Sequence, residues 1–139
     1  MDRPQLEYFQ AVAADHLQAG DRVILCTPEP SWVHPYIKKT SDYRILDCLE
    51  HEIIGRQGAK LSLTLTGDLH HYSRYVAPDG TRSKITAGGG GAFLHETHNL
   101  PQDIHIFDLQ VLRLPLTPPS SHDLTAVSQA ILFAGVLVL

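Results

Sequence analysis

The chain has 139 residues, 43% of them apolar and 19% charged, with a net charge of −4 when histidine is neutral. Such a composition suits one soluble domain long enough to bury a core, and it provides no basic surface for nucleic acid. Nine histidines against one tryptophan and one methionine is the unusual ratio, because histidine is both the near-neutral titrating side chain and the commonest metal ligand.

In chain order, residues 4–18 predict a helix. Pro4 fits a first turn, Leu6, Phe9, Val12, Ala13 and Leu17 recur at helical spacing, and Gly20 is placed to end it. "RVILCT" (22–27) reads as a short buried strand of the continuous apolar kind seen in parallel sheets, and the three prolines of "PEPSWVHPY" (28–36) make a loop. A second helix is expected from Ser41, as N-cap, to about Ile54, with Ile45, Leu46, Leu49 and Ile53 on its apolar face and Gly55 and Gly58 closing it. "KLSLTLT" (60–66) alternates, with Leu61, Leu63 and Leu65 on one face and Ser62, Thr64 and Thr66 on the other. "TGDLHHYSRY" (66–75) follows as a polar stretch, then a strand "SKITA" (83–87) running into four glycines, and a strand at "DIHIFDLQVLRL" (103–114), with a continuation after a kink as an alternative. From Pro115 to 125 the chain reads as a linker, and residues 126–139 as an apolar tail. The order of elements predicts an α/β layered fold with at least part of its sheet parallel.

The N-terminus carries acids and no apolar core of a signal peptide. The tail's apolar run is shorter than the ~20 residues of a membrane span, so a buried element is expected, with a membrane attachment beginning near Ala126 as the sharper alternative. The expected location is the cytoplasm, or a membrane if the tail begins a span. Cys26 and Cys48 are 22 positions apart without metal-ligand spacing and are expected to be buried free thiols.

Two clusters carry candidate chemistry. Asp68 and His70 stand two apart after a strand, so in extended backbone an oxygen and a nitrogen donor converge, a pairing suited to zinc, manganese or iron. His71 would point the opposite way unless the chain turns, and Tyr72 would return to the Asp68 face as a hydrogen-bond donor. The competing reading is a polar loop whose Asp and His satisfy each other. In "GGGGAFLHETH", His95 and His98 share a face if the turn is helical, and glycines such as Gly90 let backbone approach a ligand closely. A flexible turn with solvated histidines is the bland alternative. Glu29, Trp32 and His34 occupy the proline-rich loop, while His16, His51, His105 and His122 read as structural or solvated. No G-x-S-x-G elbow is present.

"RVILCTPEPSWV", "LTLTGDLHHYSRY" and "ITAGGGGAFLHETH", in that order, resemble the calcineurin-like metallophosphoesterase superfamily over roughly residues 3–110, with Glu96 where a proline is usual. The resemblance implies a β-sandwich flanked by helices, carrying divalent metals of the manganese, iron or zinc type and hydrolysing small phosphate esters. Its final Gly-His-x-His motif maps onto Gly67, Asp68, Leu69 and His70, making His70 a metal ligand and Asp68 a substituted one. Its His-x-Pro motif maps onto Pro28, Glu29 and Pro30, leaving that ligand absent or supplied by Glu29. His71, Tyr72, Gly90, His95 and His98 would line the substrate pocket. The family's opening motifs, Asp-x-His, then Gly-Asp, then Gly-Asn-His, do not stand in that order ahead of Gly67: no Asp-x-His precedes it, and the 139 residues hold no Asn-His pair. The chain therefore resembles the C-terminal half of that domain, with metals incompletely bound, unpaired sheet edges open to self-association, and no activity alone. The alternative from another class is a non-catalytic metal-binding or partner-docking module.

Overall fold

A computed structural model describes residues 2–37, 43–88, 97–105, 111–113 and 136–138, the last two segments as backbone only. Helix α1 (Arg3–His16) begins with a capping box: Asp2 accepts from the Gln5 amide while the Gln5 side chain accepts from the Asp2 amide. Strand β1 (Arg22–Cys26) follows, then the short helix α2 (His34–Ile37) inside what the prolines predict to be loop. Helix α3 (Arg44–Cys48) passes without a break into a π-helical turn (Leu49–Ile54) and a 3-10 turn (Gly55–Gln57). Gly58, at φ +74°, ends the segment in the left-handed region that favours glycine. Ser41 lies outside the described residues. Leu46, Leu49 and Ile53 are buried as expected, but Ile45 is exposed and Ile54 takes a core position. Wider winding at the π turn rotates the inward face away from the i, i+4 register.

Strands β2 (Lys60–Thr66), β3 (Tyr72–Val76), β4 (Ser83–Ala87), β5 (Asp103–His105), β6 (Val111–Arg113) and β7 (Val136–Val138) complete a seven-stranded sheet in the order β5-β6-β3-β4-β2-β1-β7. β1, β2 and β4 are parallel, and the other neighbours are antiparallel. The class is α/β, with a mixed sheet, and among the described residues there is this one sheet. Three sequence expectations change. β3 begins inside the polar stretch 66–75, for which a loop is the competing reading, and ends one residue beyond it. The stretch 103–114, expected as one strand or a strand continued after a kink, holds an antiparallel pair, Asp103 opposite Arg113 and His105 opposite Val111. Within the apolar tail, Val136–Val138 pairs with β1 and covers its outer edge; residues 126–135 and 139 lie outside the described residues. Among those described, no helix is long and apolar enough to cross a membrane.

A bulge between β1 and β2 decides which side chains face the helices. Val23 pairs with Leu61, but Ile24 pairs with Leu63, so Ser62 is the extra residue. The bulge resets the period-two alternation. Leu61 joins the core under α1 and the π turn together with Val23, Leu25, Leu49 and Ile53. Leu63 and Leu65 fall on the opposite face with Ile24, Cys26 and Ile85. The expected common face of Leu61, Leu63 and Leu65 is therefore split, and the polar positions beyond the bulge, Thr64 and Thr66, are buried. Cys26 and Cys48 are free as expected, though half-buried and not fully enclosed.

Candidate functional site

β1, β2 and β4 run parallel, so their carboxyl ends, Cys26, Thr66 and Ala87, meet at one edge of the sheet. Open α/β sheets place ligands at such edges. Backbone, more than side chains, holds the loops there together. The Thr27 amide donates to Leu65 O, and the amides of Gly67 and Asp68 both donate to Pro28 O at 3.2 and 3.0 Å. The chain then bends: His71 N–H donates to Leu69 O, and Gly88 N–H donates to His71 O. Gly88 lies so close under this bend that a methyl group on it would sit 2.7 Å from the Leu69 carbonyl carbon and nearer still to the Leu69 and Gly67 oxygens. The glycine is there for space, since its φ is ordinary.

An open cleft of about 430 Å³ lies between these loops, lined by Cys26, Thr27, Leu65, Thr66, Gly67 and Asp68 among others. Asp68 is exposed at its rim and His70 is half-buried on the same bend. His71 is buried, and its Nε2 lies 3.3 Å from the Ser73 hydroxyl. Tyr72 opens β3 and packs beside Leu65 and Ile85. Glu29 is exposed, with its carboxylate 3.6 Å from Nε2 of the buried His34. His98 is exposed in the turn before Leu100. Gly90 and His95 lie outside the described residues. Sequence reasoning assigned Cys26 no part in a site, yet it lines the cleft. Its position at the last residue of β1, level with Leu65 of β2, is the signal that would have placed it there.

The donors among the described residues do not complete a metal centre. Among the described residues, no three or more His, Cys, Asp or Glu side chains gather so as to hold an ion. Asp68 and His70 supply at most an oxygen and a nitrogen donor on one loop, fewer than the three protein ligands of a typical catalytic zinc site. These two donors by themselves are too few for a catalytic metal, which would need further ligands.

No family model matches the chain, and no curated protein or solved structure matches it either.

Proposed function

We propose that the 67–71 bend is the metal loop of a calcineurin-like phosphoesterase site, of which this chain supplies one part. The observation carrying this reading is the placement of Asp68 and His70 on a backbone-braced bend at the carboxyl ends of three strands, beside an open cleft. With two donors the chain binds one divalent ion weakly and does not turn over phosphate esters by itself. Two metals about 3.5–4 Å apart, the clamp such hydrolysis uses, need more ligands than this loop carries.

Calorimetric titration with Mn²⁺ tests the proposal, alongside a p-nitrophenyl phosphate assay. The expected result is one weak site lost in His70→Ala, with no hydrolysis. Absence of any binding removes the metal reading. Metal-dependent hydrolysis that disappears in His70→Ala removes the claim of inactivity. A second reading is a module that docks a partner and has no hydrolytic role; it needs no third donor, and none gathers with Asp68 and His70 among the described residues. The two part on inorganic phosphate: a fragment of a phosphoesterase site binds it more tightly with Mn²⁺ present, and a docking module does not.

A further inference from the structure

Among the described residues, a buried cluster of charges lies one layer beneath this edge, on the helix-covered face. Lys84, the second residue of β4, has no exposed surface, and its row neighbours across the sheet, Thr64 and Tyr75, have none either. Its ammonium donates to Glu50 of the π turn and lies 3.4 Å from the Thr64 hydroxyl. The Tyr43 hydroxyl donates to the same Glu50 oxygen at 2.8 Å, and an Arg82 nitrogen stands 3.9 Å from the other carboxylate oxygen. The ammonium also lies 5.4 Å from the ring centroids of both Trp32 and Tyr43, within cation–π range.

A buried ion pair adds little stability over an apolar pair of equal volume, and its best-attested use is to fix one arrangement over others. Here the pair fixes parts distant in sequence: β4, the π turn, the residue before α3, and the loop after β1. Trp32 is the loop's contribution. It is 2% exposed, and its Nε1 has no acceptor among the described residues, so contacts of the ring, including that with Lys84, seat the indole. Four residues earlier, the Pro28 carbonyl takes the amides of both Gly67 and Asp68. A continuous path thus runs from the buried charges to the bend that bears Asp68 and His70.

We infer that Lys84 and Glu50 are positioning residues for the Asp68–His70 bend, acting through the Trp32 ring and the Pro28 carbonyl. The inference rests on the function proposed above in assigning importance to that bend, but its test reads the bend directly and needs no metal. In Lys84→Met the stem is kept and the charge removed. Amide hydrogen exchange followed by NMR should show Gly67 and Asp68 exchanging on the order of tenfold faster relative to the amides of Leu61–Leu65, the size expected for losing a desolvated cation–π contact. Emission from Trp32, the one tryptophan of the chain, should move to longer wavelength. A purely structural lysine would speed all these amides together and leave their ratio unchanged, and that result overturns the inference. Trp32→Leu tests the same path with the ion pair intact and is the deciding variant if Lys84→Met does not fold. It too must expose Gly67 and Asp68 selectively, and continued protection of both amides refutes the path.

Discussion

Substituting Gly88 by alanine is the sharpest test of how the edge of this sheet is built. Cβ atoms essentially never come within 3.0 Å of a neighbouring heavy atom, and a Cβ on Gly88 would meet three backbone atoms of residues 67 and 69 inside that limit. Backbone cannot swing aside as a side-chain tip does, so either the bend or the end of β4 must move. Overpacking of this kind costs about 1–3 kcal/mol. The movement also disturbs the Gly88-to-His71 hydrogen bond and the pair on Pro28 O, and each bond lost adds about 0.5–1.5 kcal/mol. The expected loss is therefore about 2–4 kcal/mol in urea unfolding monitored by Trp32 fluorescence, with amide chemical-shift changes concentrated at Gly67–His71. Gly80→Ala is the matched control. Gly80 has open space around its Cβ position but φ +71°, so its cost comes from backbone conformation alone, about 1–2 kcal/mol, and its shift changes stay in the 77–82 turn. If Gly88→Ala unfolds at the wild-type midpoint with unchanged shifts at Gly67–His71, the close packing of the three loops is wrong.

The buried charges make a second prediction: Glu50→Ala should lose about 3–5 kcal/mol by leaving Lys84 uncompensated, whereas Glu50→Gln combined with Lys84→Met should recover most of that in the same unfolding assay. Burial, and then the adjacent Glu50, push the Tyr43 hydroxyl well above its ordinary range. A raised folded pKa contributes stability that is complete below the unfolded value, about 10, and is lost as pH climbs beyond it. Unfolding measured between pH 8 and 11 should therefore show stability falling toward alkaline pH, with a shallower fall in Tyr43→Phe. In the β3–β4 turn, the Thr81 amide and then its hydroxyl hold the Asp79 carboxylate below its ordinary range. NMR titration should place its midpoint below about 3.9, and the turn contact should be present above that pH and weaken as acid protonates the group.

The parallel heart of the fold was legible because its signals were local. "RVILC" is a continuous apolar run between breakers, "KLSLTLT" alternates, and Pro4 with Gly20 brackets α1. What was not legible depended on partners. β3 buries Ser73 and Tyr75 while Tyr72 and Arg74 are only partly covered, so its buried alternation carries no apolar signature. The antiparallel pairing of Asp103–His105 with Val111–Arg113 is foreshadowed by no glycine or proline between them in the sequence. The bulge at Ser62 exists only in register with β1, and no pattern within β2 could reveal that Leu61 parts from Leu63. Nothing within "SKITA" marks Lys84 as buried; its burial depends on Glu50, 34 residues away, which the fold brings against it. At the candidate site, Asp68 and His70 were visible from spacing and strand position, and the structure places both on one bend. The roles of Cys26 and Gly88 follow from contacts between loops that a linear reading does not contain.

The construction of this edge separates what holds it from what it offers. Its geometry comes from amides, carbonyls and the space left by Gly88, with Trp32 and the buried charges behind them. The Asp68 side chain takes no part in that bracing, since it is exposed and only its amide joins the network. Asp68→Ala should therefore change unfolding stability by no more than about 0.5 kcal/mol, as surface substitutions away from structural features do. If the bend is a metal loop, the same change should weaken Mn²⁺ binding markedly in calorimetry. Gly88→Ala should do the reverse in order of cause, losing stability first and any ion binding as a consequence of the displaced bend. An Asp68→Ala variant as destabilised as Gly88→Ala would show that the carboxylate braces the loop, and would return this stretch to the reading in which its polar side chains satisfy one another.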